Sequence, residues 1–113
     1  MSPLSHLCNL RTLDVSSNFL TTLGPLSNLS HLKEVDASGN RISELNLDVP
    51  GSFFGLLRLN LQGNVLESIS FPKDNDLQLE VLNLSENQLK SIHGVENLSS
   101  LRELYLGWSY SFL

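Results

Sequence analysis

The feature that most constrains the fold of this chain is a repeat that ends in asparagine. The stretches LRTLDVSSN, LKEVDASGN, LLRLNLQGN and LEVLNLSEN share apolar residues at their first, fourth and sixth positions and asparagine at the ninth. The asparagines are Asn18, Asn40, Asn64 and Asn87, at spacings of 22, 24 and 23 residues. A period of this size indicates a solenoid, because a single unit cannot bury its apolar face without neighbours on both sides.

Each repeat contains a short segment in which apolar and polar residues alternate, as in LDV and LNL. This period of two predicts strands and argues against a run of amphipathic helices, whose period would be 3.6. The residues predicted to point inward from a parallel sheet are Leu13, Val15, Val35, Ala37, Leu59, Leu61, Leu82 and Leu84. After the asparagine, apolar residues recur at every third position and are predicted to return along the opposite side, as Leu20, Leu23, Leu26, Leu29 and again Leu89, Ile92, Val95, Leu98.

In these four in-phase copies the chain resembles the leucine-rich-repeat family over almost its entire length. The resemblance implies an α/β solenoid, a right-handed superhelix with a short parallel sheet on the concave face and turns or short helical segments on the convex face. We expect one domain over residues 1–113, with about five repeats. The return segments resemble the short intracellular class found in phosphatase regulators and cytoskeletal or centrosomal scaffolds. Residues 66–106 resemble the repeats of fungal spindle-pole-body scaffolds of the septation and mitotic-exit pathways.

The repeated asparagines are predicted to be structural. An amide side chain both donates and accepts hydrogen bonds, so at the turn after each strand it can bond the backbone of its own loop and of the adjoining one. Leaving one such buried group unsatisfied would cost about 1–3 kcal/mol. Two convex segments depart from the regular unit: residues 43–55 contain a Pro-Gly turn and an insertion, and residues 68–78 contain another proline and a charged loop.

Composition and motifs argue against several classes of function. The net charge of -5 disfavours nucleic-acid binding, and no apolar run approaches the roughly 18 residues that indicate a membrane span. No phosphate-binding loop or zinc-protease motif occurs, and His6, His31 and His93 lie at different phases of the repeat. We therefore predict no catalytic residue, no metal and no cofactor. The single cysteine, Cys8, cannot form an internal disulfide, which favours the cytoplasm, and the narrower resemblance implies association with the cytoskeleton or spindle pole.

The surface left for function is the concave sheet face. Its predicted partner-binding residues are Asp14, Glu34, Asp36, Arg58, Asn60, Asn83 and Tyr105. The N-terminal half of this face is acidic and is predicted to take a basic segment of a protein partner, while the tyrosine supplies an anchor of a kind common at interfaces. Small polar residues are also expected on any solvated sheet face, so this composition alone does not decide between the two interpretations.

The C-terminal stretch LRELYLGWSYSFL begins as a fifth repeat but has Ser109 where asparagine is expected. Alternation of bulky and small residues predicts an apolar edge strand over residues 104–112, in which Trp108, Tyr110 and Phe112 favour self-association into a homodimer. The tail fits either a terminal cap or a chain excised from a longer array. Its apolar end favours the excised piece, since caps need a polar outer face.

The sequence as a whole predicts a protein-protein interaction module that acts as a scaffold or adaptor and is not an enzyme. One alternative is a regulatory module whose concave face docks an enzyme such as a phosphatase. Another is a ligand-recognition fragment of a receptor ectodomain, which cysteine-rich caps would favour.

Overall fold

The computed structural model describes residues 10–29, 31–47, 51 and 53–107. Within these residues every strand is three residues long, and the helical segments are two 3₁₀ helices with no α-helix. The strands are β1 (Thr12–Asp14), β2 (Glu34–Asp36), β3 (Arg58–Asn60), β4 (Ser68–Ser70), β5 (Val81–Asn83), β6 (Ser91–His93) and β7 (Glu103–Tyr105). The 3₁₀ helices are Gly24–Leu26 and Val95–Asn97.

Five strands form one parallel sheet in the order β1-β2-β3-β5-β7, to which each repeat contributes a single strand. The register aligns the central apolar residues, so that Leu13, Val35, Leu59, Leu82 and Leu104 lie side by side. This confirms the predicted solenoid, which makes about four turns. Parallel pairing follows because every unit runs in the same direction and returns along the other side before the next strand begins.

The core lies between the sheet and the return segments. Among the predicted inward residues, those of β2, β3 and β5 and the positions just after them are buried, whereas Leu13 and Val15 are half-buried. Leu104 and Leu106, at the other end of the sheet, are also half-buried. The end repeats pack on fewer neighbours within the described residues, so burial is most complete in the central ones.

The predicted structural role of the asparagines is confirmed by their hydrogen bonds. Asn64 Nδ2 donates to the carbonyl of Leu61 in its own repeat and to that of Ala37 in the preceding one, both at 3.0 Å. Its Oδ1 accepts the backbone N–H of Ile42 at 2.9 Å. Asn40 and Asn87 make the equivalent contacts one repeat earlier and one repeat later. This ladder links consecutive turns and satisfies backbone groups that would otherwise be buried without partners.

The convex side is less regular. The 3₁₀ helices lie in the first and fourth return segments, where short helical pieces are expected, but β4 and β6 pair as a second parallel sheet that the sequence analysis does not predict. Ser68–Ser70 and Ser91–His93 each contain one isoleucine between two polar residues, and this pattern is too short to separate a strand from a turn.

The C-terminal strand is shorter than predicted within the described residues. β7 ends at Tyr105. Gly107 lies in a turn, and the carbonyl of Gly107 accepts the N–H of Glu86 at 2.8 Å. The alternation of side chains therefore does not extend the strand through residues 106 and 107. Trp108, Ser109, Tyr110 and Phe112 lie outside the described residues, and self-association through them stays a prediction.

Candidate functional site

A shallow depression of about 420 Å³ lies over the five-stranded sheet. The seven residues predicted for the concave face all line it: Asp14, Glu34, Asp36, Arg58, Asn60, Asn83 and Tyr105. Thr12 and Val81 complete the lining, together with the central residues of the first three strands. These side chains share one face, as the alternation predicts, because alternate residues of a strand point to the same side of the sheet.

The register arranges these side chains in rows across the sheet. Asp14 pairs with Asp36, Asp36 with Asn60, Asn60 with Asn83, and Asn83 with Tyr105. Neighbouring strands lie about 4.8 Å apart, so the two carboxylates of β1 and β2 are adjacent. The depression consequently has an end with two adjacent aspartates at these strands and an aromatic end at β7.

The polar residues that end β1, β2, β3 and β5 share an arrangement that the repeat pattern alone does not predict. Asp14 Oδ1 accepts the backbone N–H and the Oγ–H of Ser16, at 2.9 and 2.6 Å. Asp36 makes the same two contacts with Ser38, at 3.0 and 2.6 Å. Asn60 and Asn83 accept the backbone N–H of Gln62 and Ser85, each at 3.0 Å. The signal in the sequence is Asp or Asn followed two residues later by Ser or Gln, a pattern typical of Asx turns.

These contacts fix the orientation of the carboxylates before any partner arrives. The two hydrogen bonds from Ser16 lower the pKa of Asp14, because they favour its ionised form. The aspartate is therefore negatively charged at neutral pH. A side chain held in this way loses little conformational freedom on binding, which removes part of the entropic cost of association.

A second row of side chains lies two residues before the strand ends and includes Glu34 and Arg58. These two residues form an ion pair. Arg58 Nη1 lies 3.1 Å from Glu34 Oε1, and both side chains are largely solvent-exposed. An exposed pair of this kind contributes about 0–1 kcal/mol to stability, so its main effect is to neutralise Glu34. Asp14 and Asp36 form no ion pair with the residues that the structure describes. They carry the net negative charge of the acidic end.

At the aromatic end, Tyr105 exposes 46% of its surface, and its hydroxyl donates to Glu103 Oε1 at 2.6 Å. The neighbouring carboxylate raises the pKa of the phenol, because it accepts a hydrogen bond from the protonated hydroxyl and disfavours a second negative charge. The hydroxyl is therefore already engaged, and the face of the ring is the part that remains open to a partner.

The described residues contain no group of three or more His, Cys, Asp or Glu side chains that could hold a metal ion. His31 precedes β2 and His93 ends β6 on the convex sheet, so the repeat does not bring these two histidines together. None of the helices in the described ranges has the length and apolar character needed to cross a membrane.

Comparisons with known proteins agree with the geometry. A family model described as Leucine Rich repeats (2 copies) matches residues 8–49, and a second, described as Leucine Rich Repeat, matches residues 78–104. Together they cover more than half of the chain. No curated protein sequence matches it. The matches concern the repeat itself and do not support the narrower resemblance to spindle-pole-body scaffolds.

Proposed function

Since this chain belongs to the leucine-rich-repeat family, whose repeats generally mediate protein-protein interactions, we propose that it binds a protein partner through the depression over its five-stranded sheet. The acidic end formed by Asp14 and Asp36 takes a basic segment of that partner. The exposed ring of Tyr105 provides an apolar contact at the other end. The remaining lining residues, Arg58, Asn60 and Asn83, and the neutralised Glu34 set the register of the bound segment.

The observation that carries this proposal is the pair of adjacent aspartates. Like charges side by side on neighbouring strands destabilise a sheet, so this pair has an unfavourable effect on folding alone. The turn after each strand needs only an Asx residue, and β3 and β5 use neutral asparagine at the same position. Negative charge at β1 and β2 is therefore not required by the turn, and a cationic partner would offset its cost.

The role that fits this surface is a scaffold or adaptor without catalytic activity. Leucine-rich repeats are typically non-enzymatic binding modules, and the depression is open and presents fixed polar groups suited to an extended segment. The only cysteine of the chain, Cys8, has no second thiol with which to form an internal disulfide. This composition fits a reducing compartment, and we place the protein in the cytoplasm.

The test is a comparison of partner binding by the wild-type chain and by the double variant Asp14→Arg with Asp36→Arg. Proteins captured on the immobilised wild-type chain are identified, purified and titrated individually against both forms. We expect the double variant to bind at least about tenfold more weakly, which corresponds to about 1.4 kcal/mol. Because steering by charge also affects association, the wild-type affinity should fall as the salt concentration rises.

A matched control carries the same change of charge away from the sheet, as Glu44→Arg with Asp74→Arg; both side chains are exposed and neither lines the depression. This control should bind like the wild type. Unchanged affinity of the Asp14 and Asp36 double variant, with its circular dichroism spectrum intact, would refute binding at the acidic end.

A further inference from the structure

The two repeats that are longer than 22 residues are neighbours, and their irregular segments meet. The repeat that follows Asn40 contains the Pro-Gly insertion, and the repeat that follows Asn64 contains the charged loop. Phe54 of the first segment and Asn75, Asp76 and Leu77 of the second line one groove of about 450 Å³. Leu57 and Glu80, which flank the starts of β3 and β5, also line it, so the groove lies outside the concave depression.

From this convergence we infer a second protein-binding site, in which the groove takes a segment of a partner that presents an arginine or lysine beside an apolar residue. A regular solenoid turn closes with about 22 residues, as the first repeat does. The additional residues of the second and third repeats are therefore not needed to close the stack. Described residues of these two longer segments, Phe54 in the first and Asn75, Asp76 and Leu77 in the second, line the groove instead.

The first wall is an aromatic side chain held towards solvent. Phe53 is 4% exposed and adopts a φ of 56°, and its N–H donates to the carbonyl of Ser27 at 2.9 Å. The left-handed conformation is unusual for a bulky residue and turns the chain sharply at this position. Phe54, the next residue, is 49% exposed, and its N–H donates to the carbonyl of Gly51 at 3.2 Å. One phenylalanine anchors the segment in the core while the other faces the groove.

The second wall is fixed by an asparagine outside the ladder. Asn75 Nδ2 donates to the carbonyls of Pro72 and Asn97, at 2.6 and 3.1 Å, and its Oδ1 accepts the N–H of Leu77 at 3.0 Å. The loop is thereby tied to itself and to the following repeat. Leu77 is 8% exposed and packs in the core, so the groove has a defined shape before a partner binds.

The chemistry of the lining selects the partner. Asp76 and Glu80 contribute two carboxylates, and no Lys, Arg or His is among the described residues that line the groove. Most of the remaining lining is uncharged and polar, with one exposed aromatic ring. A guanidinium group stacks on an aromatic face and pairs with carboxylates through directed hydrogen bonds, and an ammonium group makes weaker versions of both contacts.

The experiment selects ligands from a library of random peptides displayed on phage, with the full chain as the bait. Enriched peptides are expected to contain an arginine or lysine adjacent to an apolar residue. In fluorescence anisotropy, a labelled enriched peptide should lose about tenfold in affinity for Phe54→Ala and for Asp76→Lys. The matched controls are Phe19→Ala, a more exposed phenylalanine elsewhere, and Asp74→Lys, a charge reversal two residues before Asp76 at a side chain that does not line the groove; both should bind like the wild type.

Several results would overturn the inference. These are the absence of enriched peptides, enriched peptides without a cation, and equal binding to Phe54→Ala and the wild type. Peptides whose binding is lost in the Asp14 and Asp36 double variant but kept in Phe54→Ala would belong to the concave depression and would also refute it. So would a dimer in sedimentation velocity that Phe54→Ala dissociates, since a second copy of the chain would then cover the groove.

Discussion

The asparagine turns and the return segments of this solenoid are built in opposite ways. On the turn side, Asn40, Asn64 and Asn87 make one set of contacts three times, with closely similar distances. The return segments, which run from one asparagine turn to the next strand of the five-stranded sheet, differ from repeat to repeat. They contain 3₁₀ helices, the paired strands β4 and β6, and an aromatic turn at residues 53–55. Regularity on one side therefore does not require regularity on the other.

The difference shows which contacts the stack depends on. Each ladder asparagine bonds backbone groups, and backbone positions are fixed by the register of the sheet, so one residue type fits every repeat. The return segments need only bury apolar side chains and bring the chain to the start of the next strand in register with the sheet. Several local structures satisfy both conditions. The second candidate site is on the variable side, where added residues leave the stack intact.

The strongest test of this comparison is to remove one internal asparagine. Asn64→Ala abolishes three side-chain donations from a buried amide and leaves the N–H of Ile42 without the Asn64 acceptor. We expect a loss of about 3 kcal/mol in the free energy of unfolding, measured by urea denaturation. Asn18→Ala is the matched control, since Asn18 is exposed and, among the described residues, bonds only carbonyls of its own repeat; it should cost less than about 1 kcal/mol. Equal losses would show that the ladder does not depend on burial between repeats.

A smaller effect is expected from a glycine on the return side. Gly94 has a φ of 82°, and a Cβ at this position would lie within 2.1 Å of the carbonyl oxygen of Phe71, so the backbone beside β4 and β6 must move. Gly51 has a similar φ of 81° but no atom within 4 Å of its Cβ position. We expect Gly94→Ala to cost about 2 kcal/mol and Gly51→Ala about 1 kcal/mol, because only the first adds a clash to the strained φ.

Thermal unfolding followed by circular dichroism measures this pair of variants, and hydrogen exchange locates the change. Amides of β4 and β6 should exchange faster in Gly94→Ala than in Gly51→Ala. Similar costs for the two glycines would mean that the second sheet yields to a Cβ without losing stability.

The smallest effect concerns β7, the one strand of the five-stranded sheet that does not end in Asp or Asn. Hydrogen bonding to Glu103 raises the pKa of Tyr105, so folding favours the protonated phenol. The contribution to stability is complete below the pKa of the unfolded phenol, near 10, and is lost as the pH rises through the higher pKa of the folded state. Because both groups are exposed, the effect on stability is small, and the titration itself is the better measurement.

Phenolate absorbance is followed in a Tyr110→Phe background, so that one tyrosine titrates. We expect Glu103→Gln to bring the pKa of Tyr105 down towards its ordinary value. An unchanged titration curve would show that the carboxylate does not hold the hydroxyl.

Much of the fold was predictable because its information is local. Leu59 and Leu61 are inward because they alternate with polar residues, and Asn64 is structural because an amide at a fixed distance after a strand suits a turn. The same alternation assigns Asp14 and Asp36 to one face. The Asx turns were missed because the period of two identifies the face of a side chain but does not identify the atoms that it bonds.

The repeat, the strand in each repeat and the residues of the concave face follow from the amino-acid sequence alone, since each depends on spacings within a single unit. Other features arise only when the repeats stack: the pairing of β4 with β6, the ion pair between Glu34 and Arg58, which are 24 residues apart, and the groove between Phe54 and the loop at Asp76. These features depend on which parts of successive units come level with each other. That alignment is set by the packing of the whole stack. Because the segments differ in length, it cannot be deduced from the residues of any one segment.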